Sequence, residues 1–139
     1  MEGIPMDREP KVEILKGSDV RQQVARIRAD FERYDKHLLE AFSKIHDKVS
    51  VFASGDMDLE SSFKCILSVE YMVVSYRSML MRELLQVSRI LDVSQTPAVS
   101  SVFTQRKNDL LVHVQRLNEL VNDFNVIQRT VHAYRSYSI

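Results

Sequence analysis

The placing of a few helix-breaking residues constrains this chain more than any other feature. The sequence holds only three Gly and three Pro. Gly3, Pro5, Pro10 and Gly17 fall near the start, which leaves Gly55 and Pro97 for everything after. Gly and Pro are the strongest local punctuators of regular structure. Residues 19–54, 58–93 and 97–137 are therefore three long stretches with no breaker inside.

The apolar residues in each stretch recur at helical spacing. In the first, Val20, Val24, Ile27, Phe31, Tyr34, Leu38, Phe42, Ile45, Val49 and Phe52 follow one another at steps of three or four. That stripe lies close to a heptad seam, with charged residues on the opposite face. Ser18 and Asp19 are placed to cap the helix start, and Gly55 to supply a left-handed stop. At about 1.5 Å per residue the first helix would run roughly 54 Å.

Asp56 or Asp58 would cap the second helix, with acidic Glu60 in its first turn. Its main stripe reads Leu59, Phe63, Ile66, Val69, Val73, Tyr76, Leu80, Leu84, Val87 and Leu91, and Leu67, Val74, Met79 and Met81 flank it. A helix apolar over most of its circumference is expected to be buried on more than one side, as a central helix or as part of a subunit contact. Met72, Met79 and Met81 read as core gap-fillers.

Thr96 and Pro97 open the third helix. Val99, Phe103, Leu110, Val114, Leu117, Val121, Phe124, Val131 and Tyr134 carry its stripe, interrupted by Arg106, Lys107 and Gln128. Two short connections between long helices force antiparallel neighbours. The expected fold is all-α: an antiparallel up-down-up bundle of three long helices, coiled-coil-like, over residues 18–139. Residues 1–17 read as an N-terminal tail with a brief docked piece at Val12–Leu15.

Charge and composition narrow the function. Nineteen basic residues balance nineteen acidic ones, which argues against polyanion binding. No apolar run of signal-peptide type follows Met1, and Ser68–Leu85 is broken by Glu70, Arg77, Arg82 and Glu83. With one cysteine, Cys65, these features lead to the expectation of a cytoplasmic protein without membrane insertion.

Chemistry is sparse as well. Three scattered glycines cannot build a phosphate-cradling loop. No acidic residue stands three before His37, His46, His113 or His132, so the Glu-x-x-His pattern of bundle metal sites is missing. His37 and Glu40 form only a reversed, isolated pair, which reads as solvated helix surface. Glu32 with Lys36 and Glu40 with Lys44 are ordinary i,i+4 surface pairs. Nothing in the sequence sets a histidine base opposite Cys65. No catalytic residue, metal or cofactor is expected.

A binding surface is the remaining candidate. Towards the end of the third helix, Leu117, Leu120, Val121, Phe124, Val126, Ile127 and Val131 cover an arc wider than one seam, with Asn118, Asn122 and Asn125 interleaved. Such an arc is expected either of a helix packed on two neighbours or of a surface that receives an amphipathic helix.

Two short pieces also suggest a family. Ala53–Glu60 reads ASGDMDLE, and Arg116–Leu120 reads RLNEL, followed by Asn122 and Asn125. Together with the length and the long-helix layout, they resemble the flagellar export chaperones for hook–filament junction proteins. The resemblance implies a cytoplasmic helical bundle whose last helix binds a C-terminal helical segment of an export substrate. It would assign Leu117, Leu120, Val121, Phe124, Ile127 and Val131 as apolar contacts, and Asn118 and Asn122 as polar ones. Helix one departs from that family in being rich in Arg and aromatics. The functional expectation is a non-enzymatic chaperone or adaptor that binds a partner's amphipathic helix. The alternative is a coiled-coil subunit self-associating, as a homodimer for instance, through the apolar faces of helices two and three.

Overall fold

The computed structural model describes residues 17–137, which form three helices: α1 (Gly17–Ala53), α2 (Leu59–Val93) and α3 (Pro97–Tyr137). The expected all-α bundle of three long helices is what is found, and the helix limits fall within two residues of those read from the sequence. Gly17, read as the last residue of the tail, opens α1, and the rest of the tail with the docked piece expected at Val12–Leu15 lies outside the described residues. Each helix packs against both of the others, so the bundle is triangular in section.

The connections follow from local chemistry. Gly55 takes φ of 75°, a left-handed conformation that strains any residue with a Cβ, and it ends the α1 run. Three residues on, the Asp58 carboxylate accepts the Ser61 N–H at 2.7 Å and caps α2. At the other end of the rod, the Ser94 N–H donates to the Ile90 carbonyl and the Ser100 N–H to that of Thr96. These two bonds close α2 and open α3 within three residues.

Core packing confirms the heptad reading of α1. Ile27, Phe31, Tyr34, Leu38, Ile45, Val49 and Phe52 are buried, with Val24 and Phe42 packed against them. Phe31 meets Phe103 edge-on with ring centroids 5.4 Å apart, and Phe52 meets Phe124 at 5.3 Å. The two contacts stand three heptads apart on both helices. The parallel pair α1 and α3 therefore keeps one register along its shared length, as a 3.5-residue repeat requires. Leu38, Leu80, Leu110 and Leu117 close the centre with no exposed surface.

On α2 the core face differs from the expected stripe. Ser62, Cys65, Val69, Val73, Tyr76, Leu80, Glu83, Val87 and Ile90 face inward, whereas Leu59 and Phe63 are 72% and 63% exposed. Seven-residue spacing from Val69 and Tyr76 lands on Ser62, Glu83 and Ile90. The packed middle of the helix thus fixes its rotation, even where this turns a serine in and a phenylalanine out. Nor is α2 a central helix buried on two sides. Met72 and Met79 lie against the core as expected, but Met81 is exposed.

Candidate functional site

Arg106 is the largest fully buried side chain among the described residues, 1% exposed and set amid aromatic and aliphatic neighbours. Its guanidinium donates to both Glu83 oxygens, from Nε at 2.6 Å and Nη2 at 3.0 Å. A third bond runs from Nη1 to Asp35 Oδ1 at 2.6 Å, so all three helices are tied at one level. The Phe31 ring lies 4.8 Å from the guanidinium carbon and adds a cation–π contact. Sequence reasoning treated Arg106 as an interruption of the α3 stripe. Its seven-residue spacing from Val99 on one side and His113 on the other is the signal that it belongs to the seam.

Burial and pairing pull this cluster in opposite directions. Burial pushes the Glu83 carboxyl above its ordinary range, opposed by the bonds and charge of Arg106. Burial also works against the Arg106 charge, but the bonds and charges of Glu83 and Asp35 outweigh it and raise its pKa. The bidentate geometry decides for an ionised pair at neutral pH, because that form alone satisfies both guanidinium N–H groups. Tyr34 beside it is pushed up to about 12, first by burial and then by the Glu83 charge. These charges are spent on one another, which suits a structural clamp better than acid–base chemistry.

His113 adds a pH dependence to the clamp. Its Nε2 lies 3.8 Å from Asp35 Oδ1. Burial lowers its pKa below the ordinary value; the Asp35 carboxylate opposes this, and Arg106 and Arg116 reinforce it. A depressed histidine binds its proton more weakly in the folded state than in the unfolded one. Its contribution is therefore whole above the ordinary pKa of 6.5 and is lost as pH falls through the lower folded value. Urea unfolding of the wild type should show stability declining as pH drops below 6.5. His113→Gln should flatten that part of the profile; an unchanged slope would show that other groups set it.

The remaining reactive groups are poorly placed for catalysis. Cys65 is buried, its Sγ donates to the Lys48 carbonyl at 3.7 Å, and burial raises its pKa, which keeps it a thiol. His37 and Glu40 are both exposed. No cluster of His, Cys, Asp and Glu among the described residues could hold a metal ion. The cleft beside the clamp, about 350 Å³ and lined by Arg28, Glu32, Asp35, Gln105 and Asp109 among others, is open and carries both signs of charge. No helix among the described residues is long and apolar enough to cross a membrane.

The α3 positions singled out in the sequence are mostly core. Leu117, Leu120 and Phe124 are buried, and Val121, Ile127 and Val131 pack half-buried against them. Asn118 and Asn122 are exposed, and Asn118 accepts from Arg77 Nη2 of α2 at 3.2 Å. In this arrangement the apolar residues of the arc bind α1 and α2, the account of a helix packed on two neighbours. A guest helix could reach Leu117, Leu120 or Phe124 only by displacing one of those two helices.

The exposed apolar surface lies instead on α2. Eight of the thirteen large exposed hydrophobic residues belong to this one helix, so the surface is a feature of α2 and not a general property of the rod. Phe63, Leu67, Tyr71, Val74, Met81 and Leu85 form its body, each between 53% and 74% exposed, with Leu59 and Val93 at its ends. Those on α1 and α3, such as Leu39 and Leu111, are scattered. A row of large exposed apolar residues along one helix face marks an interaction site more often than a bare exterior.

Fold and surface together define the class: an all-helical three-helix rod with a charged clamp in its core and, among the described residues, one apolar helix face left exposed. No family model, curated protein or solved structure matches the chain.

Proposed function

We propose that the chain is a non-enzymatic helical interaction module that receives an amphipathic helix along the outward face of α2. The observation that carries this reading is the run of exposed apolar residues on that face, interrupted only by Ser78 between Val74 and Met81, set on a helix whose opposite side is locked into the core. A guest would lie beside α2 as a further coiled-coil helix, held by burial of apolar surface with no covalent step and no cofactor. If each large side chain exposes on the order of 100 Å², the stripe offers roughly 800 Å² per partner, the size of a standard stable interface. Association and ordering costs leave micromolar-to-nanomolar affinity from such a surface. The clamp serves this role by holding α2 in one rotation, and so the stripe in one orientation.

A narrower form of the same reading follows the resemblance to flagellar export chaperones in the kind of guest but not in where it sits. There the guest is an aggregation-prone helix of an export substrate, kept soluble in the cytoplasm, and its seat moves from α3 to α2.

Site-specific photo-crosslinking in the producing cell tests the surface. A benzophenone side chain at Tyr71 or Leu85 of α2 should give cross-linked polypeptides, whereas one at Asn122 of α3 or at Glu40 of α1 should give few. Products confined to the Asn122 position would restore the α3 surface and overturn this reading. An absence of products at α2 would remove it.

A further inference from the structure

We propose that the helix docked on α2 is α2 of a second copy of this chain, running antiparallel across a two-fold axis. This rests on the reading of the α2 face as an interface and specifies its occupant. Along the outward face, Leu67, Tyr71, Val74, Ser78, Met81 and Leu85 fall at steps of four and three in strict alternation. All six are exposed. That is a second heptad seam on a helix whose first seam already faces the core.

The seam has the symmetry that an isologous contact demands. Its steps read the same in both directions, so an antiparallel copy meets it in register. Leu67 then faces Leu85 of the second copy, Tyr71 faces Met81, and Val74 faces Ser78. In a two-fold interface each of these contacts occurs twice. The small Ser78 next to the axis leaves room for Val74 from across it, and larger residues fill the seam further out.

Charge selects the antiparallel direction. The N-terminal half of the α2 face carries Glu60, Lys64 and Glu70, and Lys64 is paired with Glu60 at 3.3 Å. Glu70 is left as its net negative charge. The C-terminal half carries Arg77, Arg82 and Arg89 against Asp92. An antiparallel copy brings Glu70 opposite Arg82 of its neighbour, twice across the axis, while Glu60, already neutralised by Lys64, meets Asp92. A parallel copy would stack Arg82 on Arg82 and Arg89 on Arg89, and like charges in register are repulsive. By the same measure the five large seam residues offer roughly 500 Å² on each chain, and Leu59 meeting Val93 at the two ends brings this to roughly 700 Å², near the lower end of a standard-size interface.

The full-length chain should sediment as a dimer of twice its 16.2 kDa mass at micromolar concentration. Replacing both Leu67→Glu and Leu85→Glu puts glutamate against glutamate in this register. It should weaken dimerisation by at least about 100-fold, the loss of two modest hot spots. Both positions are exposed, so far-UV circular dichroism should show the helices intact; Tyr71→Glu is the milder variant if it does not. Direction is read by disulfide trapping on a Cys65→Ala background. Leu67→Cys with Leu85→Cys should give a covalent dimer on oxidation, and Leu67→Cys alone should not. A monomer at every concentration, a dimer indifferent to the glutamates, or trapping by Leu67→Cys alone would each overturn the proposal. A monomeric purified chain whose α2 photo-crosslinks lead to a different polypeptide would remove the second copy and leave the α2 interface standing. Loss of all α2 cross-links would remove both.

Discussion

Arg106→Met is expected to destabilise the fold by about 3–5 kcal/mol, the range for breaking a buried ion pair from one side. The substitution keeps much of the side-chain volume and fills the same aromatic setting. The loss comes from Glu83, left charged or forced to protonate at 1% exposure with no guanidinium to donate to it. Glu83→Leu should cost a similar amount for the mirror reason. The Glu83→Leu, Arg106→Met double variant should recover most of the stability or exceed the wild type, because two matched apolar side chains remove the desolvation cost of both ions. Asp35 tolerates this, since its side chain is 42% exposed and reaches water. Chemical denaturation of the four proteins closes the cycle. Additive losses in the double variant would show that the two groups do not act as a pair. The double variant should also oligomerise less discretely if the clamp fixes the rotation of α2.

Leu117→Ala is expected to cost about 2–5 kcal/mol, the range for emptying a fully buried leucine site. Leu117 has no exposed surface and sits between the Leu110 and Phe124 layers of the α3 seam. For a chain of this size, about 3 kcal/mol would lower the melting temperature by roughly 10 °C. Leu117→Glu should not fold, so a loss of partner capture in that variant would say nothing about a binding surface. Val74→Ala, measured in the Leu67→Glu, Leu85→Glu background that should be monomeric, should shift the melting temperature by only a degree or two, because surface substitutions generally stay within about 0.5 kcal/mol. If Leu117→Ala proves as mild as Val74→Ala, then α3 is not packed as described and its arc returns as a candidate surface.

The two variants also mark where sequence reasoning stops. α1 was legible almost residue by residue, since Ile27 to Phe52 form one narrow apolar stripe against a charged remainder. Periodicity admits a single rotation for such a helix. α2 and α3 carry apolar residues over wide arcs, and several rotations then bury similar amounts of hydrocarbon. Read from Leu59 and Phe63, the α2 stripe passes through Leu84. The packed helix passes through Glu83 instead, because Arg106 stands opposite with the complementary charge. A lone acid at a seam position looks like an error in the stripe until its partner on another helix is known. The two lie 23 residues apart in sequence, and only the packing of α2 on α3 brings them together.

The same ambiguity governed the candidate surface. Leucine, valine and phenylalanine serve a core and an interface equally well, so Leu117 and Phe124 on one helix and Phe63 and Leu85 on the other were equivalent as letters. Enclosure separates them: among the described residues α1 and α2 cover the first pair and leave the second more than half exposed.

The sequence by itself determined the number, length and order of the helices. Breakers, caps and the left-handed Gly55 act within a few residues of where they stand. Tertiary structure alone decided which apolar arc is core, that Arg106 and Glu83 are a pair, and that the free face belongs to α2. Those outcomes depend on how each helix is turned about its own axis, and that rotation is settled by contacts between residues distant in the chain.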